Sequence, residues 1–186
     1  MPLCLISIGF GIVCLCVASR KGRQHELLDE MSAMMAHPVN INILSNCYLS
    51  SDNKQLLKES AEYRFLLYID STECTECRLN HLTEYLTLDS LLKTISGQML
   101  VIVAPKAHDT VIAKNFVDEC DFIPCILDTA GLFAKTNVYL PTHHAFHSFF
   151  INKRNEVILV GDPTRNKHVG ELFRKHILKQ EACHIK

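Results

Sequence analysis

Two runs of apolar residues constrain this chain more than anything else in it: Tyr63–Ile69 (YRFLLYI) and Gln98–Ala104 (QMLVIVA). Each has the length of a strand and neither alternates, the pattern of strands covered on both faces of a sheet. Asp70–Glu73 breaks the first run and Pro105 stops the second. Between them, from Cys77 to about Ile95, Leu79, Leu82, Leu86, Leu91 and Leu92 recur at helical spacing, with a bend expected near Thr87–Asp89. A helix over about Asp109–Glu119 follows, with Asp109 as its N-cap. Strands are then expected at Phe122–Leu127, Phe146–Ile151 and Glu156–Gly161, the last two joined by a turn at Asn152–Asn155. An amphipathic helix over Val169–Lys179 closes the pattern. Strands alternating with helices, then a hairpin and a last helix, predict an α/β domain with a central mixed β-sheet flanked by helices on both faces.

The composition agrees with one such domain plus an appendage. The 186 residues are 48% hydrophobic and 21% charged, with 7 Gly and 6 Pro, which excludes a disordered chain, a collagen-like fibre and a multi-domain enzyme. Nineteen basic against 20 acidic residues leave a formal charge of -1, so no excess of cations exists to match a nucleic acid. The expected organisation is a signal peptide or membrane anchor over 1–20, a linker and N-terminal extension over 21–60, the α/β domain over 61–180 and a tail over 181–186.

The apolar run Pro2–Ala18, closed by Ser19-Arg20-Lys21-Gly22-Arg23, reads as a membrane-targeting segment. It carries Cys4, Cys14 and Cys16. Basic residues follow the run and none precedes it, which by the positive-inside tendency would leave the domain on the cytoplasmic side. Two readings reverse that: a basic leader upstream of Met1, or a lipoprotein signal cleaved before Cys14 or Cys16, where Val13 and Leu15 stand in place of the usual small residue. In the polar stretch beyond, Met31, Met34 and Met35 mark a short amphipathic helix ended by His37-Pro38, and Val39–Leu44 is expected as an edge strand. The Met stripe is read as packing in preference to a copper box.

The chemistry is carried by Cys74-Thr75-Glu76-Cys77, placed where the first buried strand hands over to the long helix. A thiolate at a helix N-terminus meets unpaired N–H groups and the positive end of the dipole, so Cys74 is the candidate nucleophile and Cys77, one turn on, its resolving partner. Structural zinc sites share the spacing but need a second ligand pair, and Cys120 and Cys125 do not form a second CxxC. Those two are read as core thiols. Cys47 and Cys183 are left without a role, and Cys183 falls with His184 in the expected tail.

On these residues the stretch from Arg64 to Lys179 resembles the thioredoxin-like superfamily, and within it the TlpA-like and redoxin branch of bacterial envelope thiol-disulfide oxidoreductases. Ser148-Phe149-Phe150-Ile151-Asn152-Lys153-Arg154-Asn155-Glu156-Val157 is similar to that branch's T-F-L-I-D-x-x-G-x-V, and Asp128–Lys135 resembles the link before it. The resemblance implies a thioredoxin-like fold and an enzyme that exchanges disulfides with protein thiols and disulfides through Cys74 and Cys77. It implies no diffusible cofactor and no nucleic acid. Re-reduction falls to an unidentified membrane or envelope donor, and the expected location is the bacterial cell envelope, with a membrane-anchored or lipoprotein chain and a periplasmic domain. Two departures stand out: Glu73 takes the place of the family's usual Trp before the first Cys, and His147 takes the slot of its cis-Pro.

The expected surroundings of the pair are Glu73, Thr75, Glu76, Arg78, His147 and Ser148. Glu73 and Glu76 disfavour a thiolate on Cys74 and Arg78 offsets them only in part, which tilts the pair toward a reductase or isomerase. A second class of function comes from His143-His144-x-x-His147: with the cis-Pro gone, His147 would join Cys74 and Cys77 as a Cu(I) or Zn ligand set, in a metal-binding module that resembles copper-delivery thioredoxin folds. Peroxiredoxins place Pro seven residues and Thr or Ser three residues before their reactive Cys. Here Ser71 is present but Leu67 replaces the Pro, so peroxidase activity ranks below thiol–disulfide exchange.

Overall fold

The computed structural model describes residues 24–58 and 60–184. The expected membrane-targeting segment, with Cys4, Cys14 and Cys16, lies outside them. No helix among the described residues is long and apolar enough to cross a membrane.

Both apolar runs are strands, β1 (Tyr63–Ile69) and β2 (Gly97–Val103), paired in parallel from Tyr63 opposite Gly97 to Ile69 opposite Val103. Strand β3 (Cys125–Leu127) adds in parallel beyond β2. On the other side β4 (Ser148–Asn152) runs antiparallel to β1, and β5 (Val157–Val160) antiparallel to β4. The sheet order is β3-β2-β1-β4-β5, so β1 lies at its centre.

Continuous apolar sequence is needed because the sheet is covered on both faces. Phe65, Leu67, Ile69, Met99, Val101 and Val103 join one core cluster, while Leu66, Tyr68, Leu100 and Ile102 join the other. Helices α4 (Leu86–Lys93), α5 (Thr110–Glu119) and α7 (Lys167–His184) cover the first face through Leu88, Leu92, Ala113, Val117, Phe173 and Ile177. The opposite face is covered by α1, residues 24–36, through Met34, and by α6 (Leu132–Thr136) through Phe133. Burying one such Phe or Leu contributes about 1.5–3 kcal/mol.

Several boundaries differ from the sequence reading, each for a physical reason. The long helix is three pieces: α3 (Thr75–Asn80), a 3-10 turn (Leu82–Tyr85) and α4, so the break falls at His81 and not at Thr87–Asp89. Tyr85 anchors that break, since its ring is buried and its hydroxyl donates to the Asp162 carboxylate. The third strand begins at Cys125, because Pro124 has no N–H and joins the ladder only by accepting from the Val101 amide at 2.9 Å. The fourth begins at Ser148, after a 3-10 turn (His144–Phe146). Val39–Leu44 is no edge strand: Val39 donates its amide to Asn155 O at 2.8 Å, and Asn42–Asn46 forms a 3-10 turn. Asp109 stands at the N-cap of α5 without a side-chain cap bond. The last helix continues past Lys179 to His184, into the stretch expected as a tail.

The hairpin turn shows how Asn substitutes for the Gly of the resembled motif. Asn155 takes φ 62°, a left-handed backbone that Asn tolerates better than most residues. Asn152 Oδ1 holds the turn by accepting from the amides of Arg154 at 2.9 Å and Glu156 at 3.0 Å.

Two buried polar side chains tie loops to the sheet. Asp128, 1% exposed, accepts the amides of Leu132 and Phe133, both at 2.8 Å, and so starts α6. Asn53, fully buried on α2 (Ser51–Leu56), donates to Val117 O and accepts from the Cys125 amide at 2.9 Å, joining α2 to α5 and β3. Asn53→Ala leaves a buried carbonyl and a buried N–H without partners. A loss of about 2–4 kcal/mol is expected, read in urea unfolding as a lower midpoint at unchanged slope.

Candidate active site

Cys74, five residues after β1 ends at Ile69, is the N-cap residue of α3. Its sulfur is bonded to Cys77 Sγ and accepts the Cys77 amide at 3.3 Å, so the helix end places both sulfurs and satisfies one of its own free N–H groups. Both cysteines are exposed, while Thr75 between them is 1% exposed and packs inward. The disulfide thus lies on the surface at the C-terminal ends of the parallel strands, the end at which α/β sheets present their ligand sites.

The turn before Cys74 is built by Asp70. Its Oδ1 accepts the Thr72 amide at 2.8 Å, the Thr72 hydroxyl at 2.6 Å and the Glu73 amide at 3.3 Å. Burial pushes the Asp70 carboxyl up, but the Thr72 bonds, the nearby His147 and the Glu73 amide together hold it below its ordinary value. Glu73 points inward beside the disulfide. Burial raises its carboxyl above the usual range, opposed by Arg78, whose Nε lies 3.1 Å from Glu73 Oε2. The structure thus places Arg78 on Glu73. Glu76 is exposed in the first turn of α3.

Strand β4 brings the second half of the site. His147 precedes it, and its carbonyl accepts the Tyr68 amide at 2.8 Å, which registers the 141–147 loop against the end of β1. The side chain is 2% exposed, unlike the exposed His143 and His144 of the same cluster. His147 Nε2 lies 2.7 Å from Pro141 O. A carbonyl only accepts, so Nε2 carries the proton and Nδ1 has the lone pair. Nδ1 faces Asp70 Oδ2 at 3.7 Å and has no hydrogen-bond partner. Burial holds the His147 pKa below its ordinary value, against the Pro141 bond and Asp70, with His144 and His143 adding to the lowering. The two ring nitrogens therefore address Pro141 and Asp70, while the sulfurs of the expected Cys74–Cys77–His147 ligand set are bonded to each other. Ser148 is 2% exposed within the sheet, opposite Leu67, and its carbonyl accepts the Gly161 amide at 2.7 Å.

Two residues of this site were not singled out from the sequence, Asp70 and Pro141. Asp70 had a signal: an Asp ending an apolar run with Thr two residues on is the pattern of a side chain that caps its own turn. Pro141 had none, because it contributes only a carbonyl.

The remaining described thiols lie in or near the core. Cys120 and Cys125 are 3% and 0% exposed, their sulfurs 3.5 Å apart, and Cys125 donates to Cys120. That hydrogen bond, opposed by burial, brings Cys120 down to about 7, and it raises Cys125 well above an ordinary thiol. Cys47 is half-buried and pushed up to about 11 by burial and by Asp128.

No family model matches the sequence, and no curated protein matches it. Solved structures do. A thioredoxin-like protein from Bacteroides caccae is 17% identical over 62% of this chain and 41% of its own, with a TM-score of 0.42, so the chain spans well under half of that protein's length. A Chlorobium tepidum protein named as thiol:disulfide interchange protein DsbE is 16% identical over 66% of this chain and 82% of its own, with a TM-score of 0.46. The N-terminal domain of PilB from N. meningitidis, in its reduced form, is 18% identical over 70% of this chain and 93% of its own, with a TM-score of 0.43. The chain's own topology carries the assignment. A sheet in the order β3-β2-β1-β4-β5, parallel through its first three strands and antiparallel through its last two, with a CxxC disulfide at the junction of the central strand and the helix that follows, is the thioredoxin-like fold.

Proposed function

We propose that this chain is a thiol-disulfide oxidoreductase acting on protein thiols and disulfides. The observation that carries the reading is the Cys74–Cys77 disulfide, exposed at the N-terminus of α3, with the Cys77 amide donated to Cys74 Sγ. Both properties are what exchange requires: access for a second protein's sulfur, and N–H groups that stabilise negative charge as it develops on Cys74.

In the reducing direction the Cys74 thiolate attacks one sulfur of a partner disulfide. The partner's S–S bond breaks, its second sulfur leaves as a thiolate, and a mixed disulfide forms. Cys77, deprotonated, then attacks Cys74 Sγ. The new Cys74–Cys77 bond releases the partner as a dithiol carrying two electrons, and a membrane or envelope donor must return two electrons to the pair. The apolar run Pro2–Ala18 supports a membrane-tethered chain, and the periplasmic placement in a bacterial envelope rests on the family resemblance alone, against the basic residues that follow the run.

The direction follows from local charge. Glu73 directly precedes Cys74 and Arg78 faces Glu73, so a thiolate on Cys74 gains less than it would beside an uncompensated cation. A strong oxidant owes its potential to a stabilised thiolate, so this pair is read as a reductase or isomerase.

Cys77→Ser in cells should accumulate disulfide-linked complexes visible on non-reducing gels, and Cys74→Ser/Cys77→Ser should abolish them. A Cys77→Ser chain that traps nothing would remove the reading. Equilibration of the purified pair with glutathione should give a potential well below that of a strong periplasmic oxidant, and a value near about −120 mV would reverse the assigned direction.

A further inference from the structure

Three side chains meet beside the disulfide, and each has one polar atom tied and one free. Asp70 Oδ1 is held by Thr72 and the Glu73 amide, which leaves Oδ2 facing His147. Glu73 Oε2 faces Arg78, and Oε1 is buried without a hydrogen-bond partner. His147 Nε2–H is held by Pro141 O, and Nδ1 is buried without a partner. Ligand atoms of the three residues lie within 4.8 Å of one another.

Two acceptors that face each other, an imidazole lone pair and a carboxylate oxygen 3.7 Å away, repel unless a positive charge lies between them. A second ring proton or a cation would both serve. A cation can also serve Glu73 Oε1, which is likewise buried without a hydrogen-bond partner. A divalent ion meets two carboxylates and a neutral imidazole, with Arg78 facing Glu73 Oε2 on the far side.

We propose that Asp70, Glu73 and His147 bind a divalent transition-metal cation of the zinc type. One nitrogen and two oxygens form a donor set that such ions accept, and the three ligands leave an open position for water. Ligand atoms around a tetrahedral ion with bonds of about 2.0 Å are about 3.3 Å apart, so the 3.7 Å between His147 and Asp70 needs only a small contraction. A metal-bound imidazole commonly donates its other N–H to a backbone carbonyl, which fixes the tautomer, and Pro141 supplies that carbonyl. Water has access, because the Asp70 and Glu73 side chains retain 16% and 9% exposure. A groove of about 200 Å³ lined by Tyr68, Pro141 and Thr142 also opens on Asp70 and His147. The cysteines are not ligands, so metal binding needs no free thiol and the site differs from a Cys–Cys–His copper centre.

The test is zinc binding by the full chain with the Cys74–Cys77 pair kept oxidised, measured by equilibrium dialysis and chelator competition with Zn²⁺ alone. One equivalent is expected to depend on the three residues. Glu73→Gln and Asp70→Asn should each weaken it by about 100-fold or more, beyond the roughly 10–100-fold that loss of an outer partner costs. His143→Ala/His144→Ala should leave it unchanged. Cobalt in place of zinc should give d–d absorption without a thiolate charge-transfer band. Zinc should also raise the melting temperature of the parent chain but not of Glu73→Gln, a readout that separates lost binding from a lost fold. No equivalent on the oxidised chain, equal binding by Glu73→Gln and Asp70→Asn, loss in the His143/His144 variant, or a sulfur band with cobalt would each overturn the proposal.

Discussion

Strand β1 is paired along both edges and covered on both faces, and the candidate site depends on that confinement. Its neighbours are β2, parallel, and β4, antiparallel, so the C-terminal end of β1 and the N-terminal start of β4 meet at one point of the sheet. The Tyr68 amide bonded to His147 O marks that point. The chain can then deliver the cysteine turn from one strand and the histidine loop from the other. Six of the seven residues of β1 are buried.

At this junction two electrostatic demands compete. The N-terminus of α3 favours negative charge on Cys74, while Glu73 and Asp70 place carboxylates in the turn just before it. Local satisfaction reconciles them in part: Thr72 and the Glu73 amide hold Asp70, and Arg78 faces Glu73. Glu73 Oε1, Thr75 Oγ1, Arg78 Nε and His147 Nδ1 are left buried without hydrogen-bond partners. Unpaired buried polar atoms are costly, and a fold keeps them where they serve a ligand or a reaction.

Much of the fold was legible in the sequence because the strong signals are long-range in effect but local in sequence. YRFLLYI and QMLVIVA read as doubly covered strands, and the helices between them follow from the leucine spacing. Boundaries were less legible where tertiary partners decide them. The break at His81 answers to Tyr85 reaching Asp162, which is distant in sequence, and the short β3 answers to Pro124. The CxxC was legible because spacing and position coincide. The setting of His147 was not, because the His-rich loop gives no sign that one ring is buried on Pro141 while its neighbours stay in solvent.

The separation of the cysteines by depth has a practical consequence. Cys74 and Cys77 lie at the surface, whereas Cys120 and Cys125 are sealed between α5 and β3. Within these four cysteines a thiol-labelling reagent therefore meets two pairs that respond to different events. Modification of the outer pair reports the electron count of the site, and modification of the inner pair reports how often the β3 edge of the sheet comes open. One molecule thus contains a redox gauge and a breathing gauge, each legible without disturbing the other.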